Sequence, residues 1–571
     1  MSIYDKSSLV LIPSGTKTSK VYSQKPTNGD GDFDFTRSTA ATRIAANGNI
    51  EKETQNLLLQ SNSFNTSPWN LSSATMSGGQ SGYDGSSDAW IFTTSVAGAA
   101  NLQSFSSTGV LTYSVYAKAG SVNGIRLRID TNSDADGFFN LVNGTIFQSS
   151  GIDASIEDVG GGWYRCSLAH NVAGPVKLQF FTTNGTTSYD NGSIYIQDAQ
   201  LNQGLIAQEV ITTTTTALYG GITDNVPRLD YTDSSCPALL LEPQRTNFVP
   251  NSEYLGSSDW DKNGFGTGVA PVLTFGEESP EGLNNAYEIT FNTGAGTSSG
   301  EQSNISEAIG GQAAGDYTLS FWAKVSNGTD KIIARGAGGY LYTTCNLTTE
   351  WQRFEITENL ATAGSVYVDI GLRRGLANEP LNSSVTCQIY GFQLEAGSYA
   401  TSYIPTYGTS VTRNADVCNT LNVEDLIGQT EGTLFYQGLV EVFTGNDGHA
   451  IALTQDGDGN GSSRVLLYRA NSTGNMKVYF QNASGVAFGQ ATLPIPTSSN
   501  DKYAIAYSTN DLAIYVNGVL EHTQSVGVIP TTKFVNINRW TGNIKQKNEC
   551  KNVLLFKTRL SNAELATLTT I

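Results

Sequence analysis

Four aromatic side chains in this chain have neighbours suited to holding a sugar: Trp69, Trp260, Tyr340 and Tyr342. The C–H groups of a pyranose ring stack on an exposed aromatic face, while polar neighbours bond its hydroxyls. Trp69 stands beside Asn70, and Trp260 stands between Asp259 and Asp261. Tyr340 and Tyr342 alternate in Gly338-Gly-Tyr-Leu-Tyr342 and so share one face of an extended strand. A Trp at a fixed place in a repeat, or a Tyr in a strand, equally suits packing. A second chemistry is suggested by Asp456, Asp458 and Asn460, alternate oxygen ligands followed by Gly461, as at the start of a calcium loop. The twelfth position of that loop is Leu467, where a complete EF-hand needs a bidentate Glu, so the expectation reduces to a Ca2+ loop of another kind or a plain turn. The same choice applies to Asp30, Asp32 and Asp34. No other cofactor is expected.

Signs of catalysis are sparse. The histidines His170, His449 and His522 stand in no nucleophile or metal spacing, and neither a Gly-x-Ser-x-Gly elbow nor a phosphate loop occurs. A glycosidase needs two carboxylates about 5 to 10 Å apart; no pair stands out among 51 acidic residues. The expectation is a protein that binds rather than reacts.

The elements that would carry these residues come twice. Trp69 follows Asn56 by 13 residues and Trp260 follows Asn247 by 13 residues, with Ser61 and Ser252 at matching places. Ala117-Lys118 answers Ala323-Lys324, Trp163-Tyr-Arg165 answers Trp351-Gln-Arg353, and Gln200-Leu201 answers Gln393-Leu394. The offset of about 190 to 205 residues is too long for a solenoid and matches a whole domain. Alternation predicts strands over 111–118, 124–130, 163–169, 176–182 and 193–201 in the first copy, and over 317–324, 331–335, 353–357, 365–372 and 386–394 in the second. Short strands between Gly and Asn turns indicate an all-β chain of tandem antiparallel β-sandwiches of jelly-roll type. Residues 56–204 and 244–405 are then two homologous jelly rolls. Residues 430–571 form a distinct third unit, with a type I′ hairpin signal at Asn517-Gly518 and a capping box at Ser561-Asn-Ala-Glu564. Residues 205–243 read as an extended connector, either stiff or an added strand, 406–429 as a linker, and 1–55 as an ordered arm with little core of its own, held by a partner.

Composition narrows the partners. The formal net charge is −18, which disfavours nucleic acid and anionic membrane surfaces. No run of 18 apolar residues predicts a membrane-spanning helix, and Met-Ser-Ile-Tyr-Asp-Lys lacks the marks of a signal peptide, so synthesis and folding in the cytosol are expected. The six cysteines are scattered and read as free, mostly buried thiols, with Cys345 and Cys387 on neighbouring strands as the one pair worth testing for a disulfide.

Two resemblances follow. Tyr515-Val-Asn517-Gly518, Asn552-Val-Leu-Leu-Phe556 and Arg559-Leu-Ser-Asn-Ala-Glu564 resemble the concanavalin-A-like lectin (laminin-G-like) jelly roll. Asp34-Phe-Thr-Arg37-Ser-Thr-Ala-Ala-Thr-Arg43, Asn225-Val-Pro-Arg-Leu-Asp-Tyr231, Cys236-Pro-Ala-Leu-Leu-Leu-Glu242-Pro-Gln-Arg-Thr-Asn247 and Gln393-Leu-Glu-Ala-Gly-Ser-Tyr-Ala-Thr-Ser-Tyr-Ile-Pro405 are similar to tailed-bacteriophage virion fibre and appendage proteins with carbohydrate-binding-module-like jelly rolls. That resemblance implies a virion protein, a tail or head fibre or other appendage, assembled in the host cytoplasm and displayed on the particle, often as a homotrimer. It implies receptor binding to host surface glycans, and docking on portal, collar, tail or capsid through residues 1–55. The alternatives are a purely structural decoration protein and, third, a surface-polysaccharide depolymerase.

Overall fold

The computed structural model describes residues 2–571 apart from 337–341, 376–381, 442–446, 457–462, 483, 485–486, 526 and 539–545. Nearly every element is an antiparallel strand. In the first module the strand Ala100–Ala119 pairs with Trp163–Thr183 along almost its whole length, from Ala100 opposite Phe181 to Lys118 opposite Trp163. One long hairpin therefore serves both layers of the sandwich. In the second module the same ribbon is broken: Gln302–Gln312 pairs with Gly364–Arg373, and Gly315–Lys324 pairs with Gln352–Leu360. The two five-stranded sheets seen there among the described residues run Asp261–Phe265, Gln302–Gln312, Gly364–Arg373, Asp330–Arg335, Thr343–Leu347, and Val269–Glu277, Ala286–Asn292, Ser384–Ala396, Gly315–Lys324, Gln352–Leu360. The first module repeats that order around its long hairpin.

The repeated landmarks prove to be fasteners. Asn56 is fully buried; its amide donates to Ala199 O (3.1 Å) and Ile211 O (2.8 Å), and its carbonyl accepts from Leu58 N and Leu201 N (both 3.1 Å). Asn247 makes the same four bonds, to Phe392 O (3.0 Å), Ile404 O (2.8 Å), Val249 N and Leu394 N (both 3.1 Å). Ser61 and Ser252 each accept a backbone N–H at 2.8 Å, from Thr213 and Thr406. Each set ties the entering strand of a module to its exit. A buried amide loses all four partners together when removed, which is why such a residue recurs at one place.

The third unit is not confined to residues 430–571, which corrects the domain reading. One of its sheets contains Arg228–Asp230 and Ala238–Leu241 beside Lys547–Phe556, with Leu9–Leu11 on the same strand (Leu9 opposite Leu555). The other contains Phe33–Thr36 beside Val417–Thr420 and Phe534–Ile537. Leu9, Leu11, Val21, Phe33 and Phe35 are fully buried in one core with Leu434, Tyr436, Leu467, Ile514 and Leu555. The segment expected to be an arm held by a partner is thus part of its own chain's C-terminal sandwich. Hydrophobic side chains at alternate positions of Phe33-Asp-Phe35 face that core, which a freely projecting arm would leave in water. The linker likewise supplies a strand, Val417–Thr420, and the connector takes the added-strand alternative with Arg228–Asp230 and Ala238–Leu241.

Where these segments meet, three arginines and two acids are sealed from solvent. Arg37 Nη1 lies 3.1 Å from Asp416; Arg228 pairs with Asp416 and lies 2.7 Å from Glu242; Arg413 lies 2.7 Å from Glu242. Burial alone would raise the Glu242 carboxyl, but Arg413 and Arg228 outweigh it and hold the group well below the usual carboxylate range. A second buried group joins Lys52 to Glu253 (3.1 Å), Glu281 (2.7 Å) and the Tyr407 hydroxyl (3.0 Å). Gly109 shows how closely the modules abut: a side chain there would meet the Tyr407 backbone, and Val110 N donates to Tyr407 O at 2.8 Å.

Candidate functional site

The alternation of Val366-Tyr-Val-Asp-Ile-Gly-Leu-Arg373 separates two faces. Val366, Val368, Ile370 and Leu372 enter the core, which leaves Tyr367, Asp369, Gly371 and Arg373 on the outer face of the sheet. Pairing adds the rest: Arg335 stands opposite Asp369, and Asn304 opposite Gly371. Tyr342 precedes the neighbouring strand Thr343–Leu347.

These side chains form one connected surface. Asp369 accepts from Asn304 Nδ2 (2.6 Å) and the Tyr342 hydroxyl (2.7 Å), and Arg335 Nε lies 3.3 Å from it. The Arg335 guanidinium lies 5.2 Å from the Tyr342 ring and 5.4 Å from the Tyr367 ring, within cation–π range. Burial and the adjacent Asp369 push the Tyr342 phenol up to about 12, so it stays a proton donor at neutral pH. Tyr367 is 41% exposed, and further along the strand Gln302, Tyr342, Gly371 and Arg373 rim a shallow hollow. An open aromatic ring next to fixed polar donors and an acceptor can stack on a sugar ring and bond its hydroxyls.

The first module supplies an internal control, because strand pairing makes its positions equivalent. Phe181 occupies the place of Gly371, Lys177 that of Tyr367, and Asp136 that of Tyr342. There Arg126 is covered by Phe138, Phe181 and Tyr189, whose ring centres lie 5.0 to 5.3 Å from its guanidinium, and it pairs with Asp136 at 2.6 Å. That face is closed by its own side chains; among the described residues no side chain closes the second module's in this way.

The sequence-derived candidates fare differently. Trp69 and Trp260 are 7% and 1% exposed, and each indole N–H donates to a backbone carbonyl, Gln60 O at 2.9 Å and Asn251 O at 3.0 Å. Both pack in module cores, so neither offers a face to a ligand, a correction of the sugar-platform reading. Tyr342 belongs to the surface just described; Tyr340 lies outside the described residues. The Asp456 carbonyl accepts from the Thr454 hydroxyl at 2.6 Å, while Asp458 and Asn460 lie outside the described residues. Among the described residues no group of three His, Cys, Asp or Glu could hold a metal ion. All six cysteines are free, five of them buried; Cys345 and Cys387 lie in opposite sheets instead of neighbouring strands. Tyr367, Asp369 and Arg373 were missed, although the alternation of 366–373 already set them apart from the core.

Larger cavities, of about 280 and 230 Å³, lie where the modules meet. Glu242, Lys547 and Lys52 on their walls are already engaged in ion pairs, which suits a junction.

No family model matches this chain, and no curated protein matches it. Among solved structures it is similar to the CBM40 of the Ruminococcus gnavus IT-sialidase (15% identity, TM-score 0.22, 26% of this chain and 85% of that one). It is also similar to the receptor-binding domain of botulinum neurotoxin C/D mosaic serotype (14%, TM-score 0.23, 27% and 40%). Domain 4 of an extracellular arabinanase from Geobacillus stearothermophilus is a third (12%, TM-score 0.21, 27% and 73%). At such identities and TM-scores the likeness stops short of ligand and activity.

Proposed function

We propose that this chain is a glycan-binding adhesion protein whose second jelly roll holds sugar on its outer sheet face, and that it serves as an appendage of a tailed-bacteriophage virion. The observation that carries the binding is the pairing of an exposed Tyr367 with the Tyr342–Asp369–Arg335 network on a face that the first module keeps shut. The virion setting rests on the residue strings shared with such appendages. Weak single sites would gain about 10²- to 10⁴-fold in avidity from display in many copies. Binding, with no turnover of the sugar, is the activity proposed.

The test is a glycan array probed with the full chain and with Tyr367→Ala. Loss of the wild-type hits in the variant, with an unchanged melting temperature, supports the assignment. Identical hits from both proteins overturn it, and an array without hits favours a purely structural decoration role. Release of oligosaccharides from host capsule would instead establish a depolymerase.

A further inference from the structure

We infer that the outer face of the second module takes a carboxylate-bearing sugar, with Arg373 as the ligand of the carboxylate. The inference rests on the reading of this face as a glycan site and adds the chemical class of the ligand.

The starting point is a charge left over. Asp369 is fully engaged by Asn304, Tyr342 and Arg335. Among the described residues Arg373 pairs with no acid: its Nη1 donates to the Tyr342 hydroxyl at 3.5 Å. Its guanidinium lies 5.7 Å from the Tyr342 ring, which holds it over the sheet. Among the described residues the face thus carries the guanidinium groups of Arg335 and Arg373 and the ammonium of Lys331, against Asp369 and, two strands away, Asp261.

A solvated surface arginine is ordinary, so the comparison within the chain decides the weight of this one. On the equivalent face of the first module every cation has its acid: Arg126 has Asp136, Arg128 has Asp134 and Lys177 has Asp130. Asp136 there corresponds to Tyr342, Lys177 to Tyr367, and Thr183 to Arg373. Between the two copies Asp136 and Lys177 have given way to tyrosines, Arg126 to Ile333 and Thr183 to Arg373, and among the described residues Arg373 has no acid beside it. In a chain of net charge −18 the background favours cations being paired. Charges beyond about 8 Å are largely screened at physiological salt, so the overall negative charge does not bar an anion from this spot.

Access agrees. Gly371 lies between Arg373 and Asp369 on the outer face, and any side chain there would run into Ser303 and Asn304. The floor beside Arg373 is therefore bare, where the first module has Phe181. A guanidinium presents two parallel donors matched to a carboxylate. Tyr367 and Arg373 stand six residues apart on one strand, about 20 Å, so an oligosaccharide stacked on Tyr367 at one end would bring an acidic ring further along it to Arg373. Uronic and sialic acid residues share the required chemistry.

The experiment is calorimetric titration of the full chain with matched pairs: a neutral glucan oligosaccharide against its glucuronic-acid counterpart, and lactose against its sialylated form. The acidic member of at least one pair is expected to bind about tenfold tighter or more, which also tells uronic from sialic ligands. Arg373→Gln should erase that preference while changing neutral-sugar affinity less than about twofold. Arg373→Lys, which keeps the charge but loses the fork, should retain part of it. Arg128→Gln, on the first module's face, should change nothing. Equal affinity for acidic and neutral members, or a preference that survives Arg373→Gln, overturns the ligand class while leaving glycan binding intact. Failure of every sugar to bind overturns the glycan site itself.

Discussion

Deleting residues 2–36 is expected to unfold a sandwich most of whose strands lie 400 or more residues further along the chain. Leu9, Leu11, Val21, Phe33 and Phe35 are fully buried in the C-terminal core. Burying a side chain of this size is worth about 1.5–3 kcal/mol, so the five together contribute about 8–15 kcal/mol. That is as large as the whole stability of an ordinary domain, about 5–15 kcal/mol. The deletion also strips partners from two strands, since Leu9–Leu11 pairs with Lys547–Phe556 and Phe33–Thr36 with Val417–Thr420. The assay compares the full chain, the deletion and residues 430–571 alone by far-UV circular dichroism melts and limited proteolysis. The fragment and the C-terminal part of the deletion should be protease-sensitive and lack a cooperative transition, while the two jelly rolls stay resistant. Cooperative melting of residues 430–571 alone, at the temperature seen in the full chain, would refute the reasoning.

Other outcomes follow from the same physics. Glu307, buried near Asp259 with an unbonded Oε2, has its carboxyl pushed up to about 8, burial being the main cause. A carboxyl raised in the folded state keeps a proton that the unfolded chain has lost, so stability falls as pH rises from about 4.5 to 8; Glu307→Gln should flatten that fall by at most about 5 kcal/mol in urea titrations at pH 5 and 9. An unchanged pH slope would show that Glu307 is not the group responsible. Asp416→Ala leaves Arg37, Arg228 and Arg413 facing Glu242 alone and is expected to cost about 3–5 kcal/mol in chemical unfolding. A loss below about 1 kcal/mol would mean that water reaches the group.

Local signals were legible wherever they concern neighbours in sequence. Asn517 and Gly518 both take positive φ, 49° and 84°, in the turn joining Asp511–Val516 to Val519–Gln524. The capping box at Ser561 opens the helix Asn562–Thr569. The repeat itself was visible, but not the role of its members: a fixed position in a repeat says that a residue is needed, and Trp69 and Trp260 are needed by their cores. Leu9-Val-Leu-Ile12 reads as a short buried strand, and Leu9–Leu11 is one while Ile12 is exposed, yet nothing near it announces Leu555 as its partner. Long-range pairing leaves no local mark, and so the arm was taken for a docking segment. The face proposed to bind glycan was hidden for another reason. An outward Tyr, Asp and Arg look like any solvated strand edge until pairing shows that Arg335, Asn304 and Tyr342 converge on them.

The strings that resemble phage appendages have a common address in the structure. Asp34–Arg43 contains Arg37, 225–231 contains Arg228, 236–247 contains Glu242 and Asn247, and 393–405 contains Gln393 and Ser402. Arg37, Arg228 and Glu242 meet in the buried ion network; Ser402 donates to Glu242 at 2.6 Å, and Asn247 and Gln393 fasten the second module beside it. These segments lie up to about 370 residues apart in sequence, and a buried charge left without its partner is costly, so none can change alone. Tyr342, Tyr367, Asp369 and Arg373 fall in none of the four strings. A protein that shares the strings therefore shares the junction that orients its sandwiches, while the sheet face proposed to hold a glycan remains free to vary. Grafting the residues of the first module's closed face onto the second should then abolish sugar binding without disturbing assembly of the chain, whereas exchanging any one of the strings should disturb folding first.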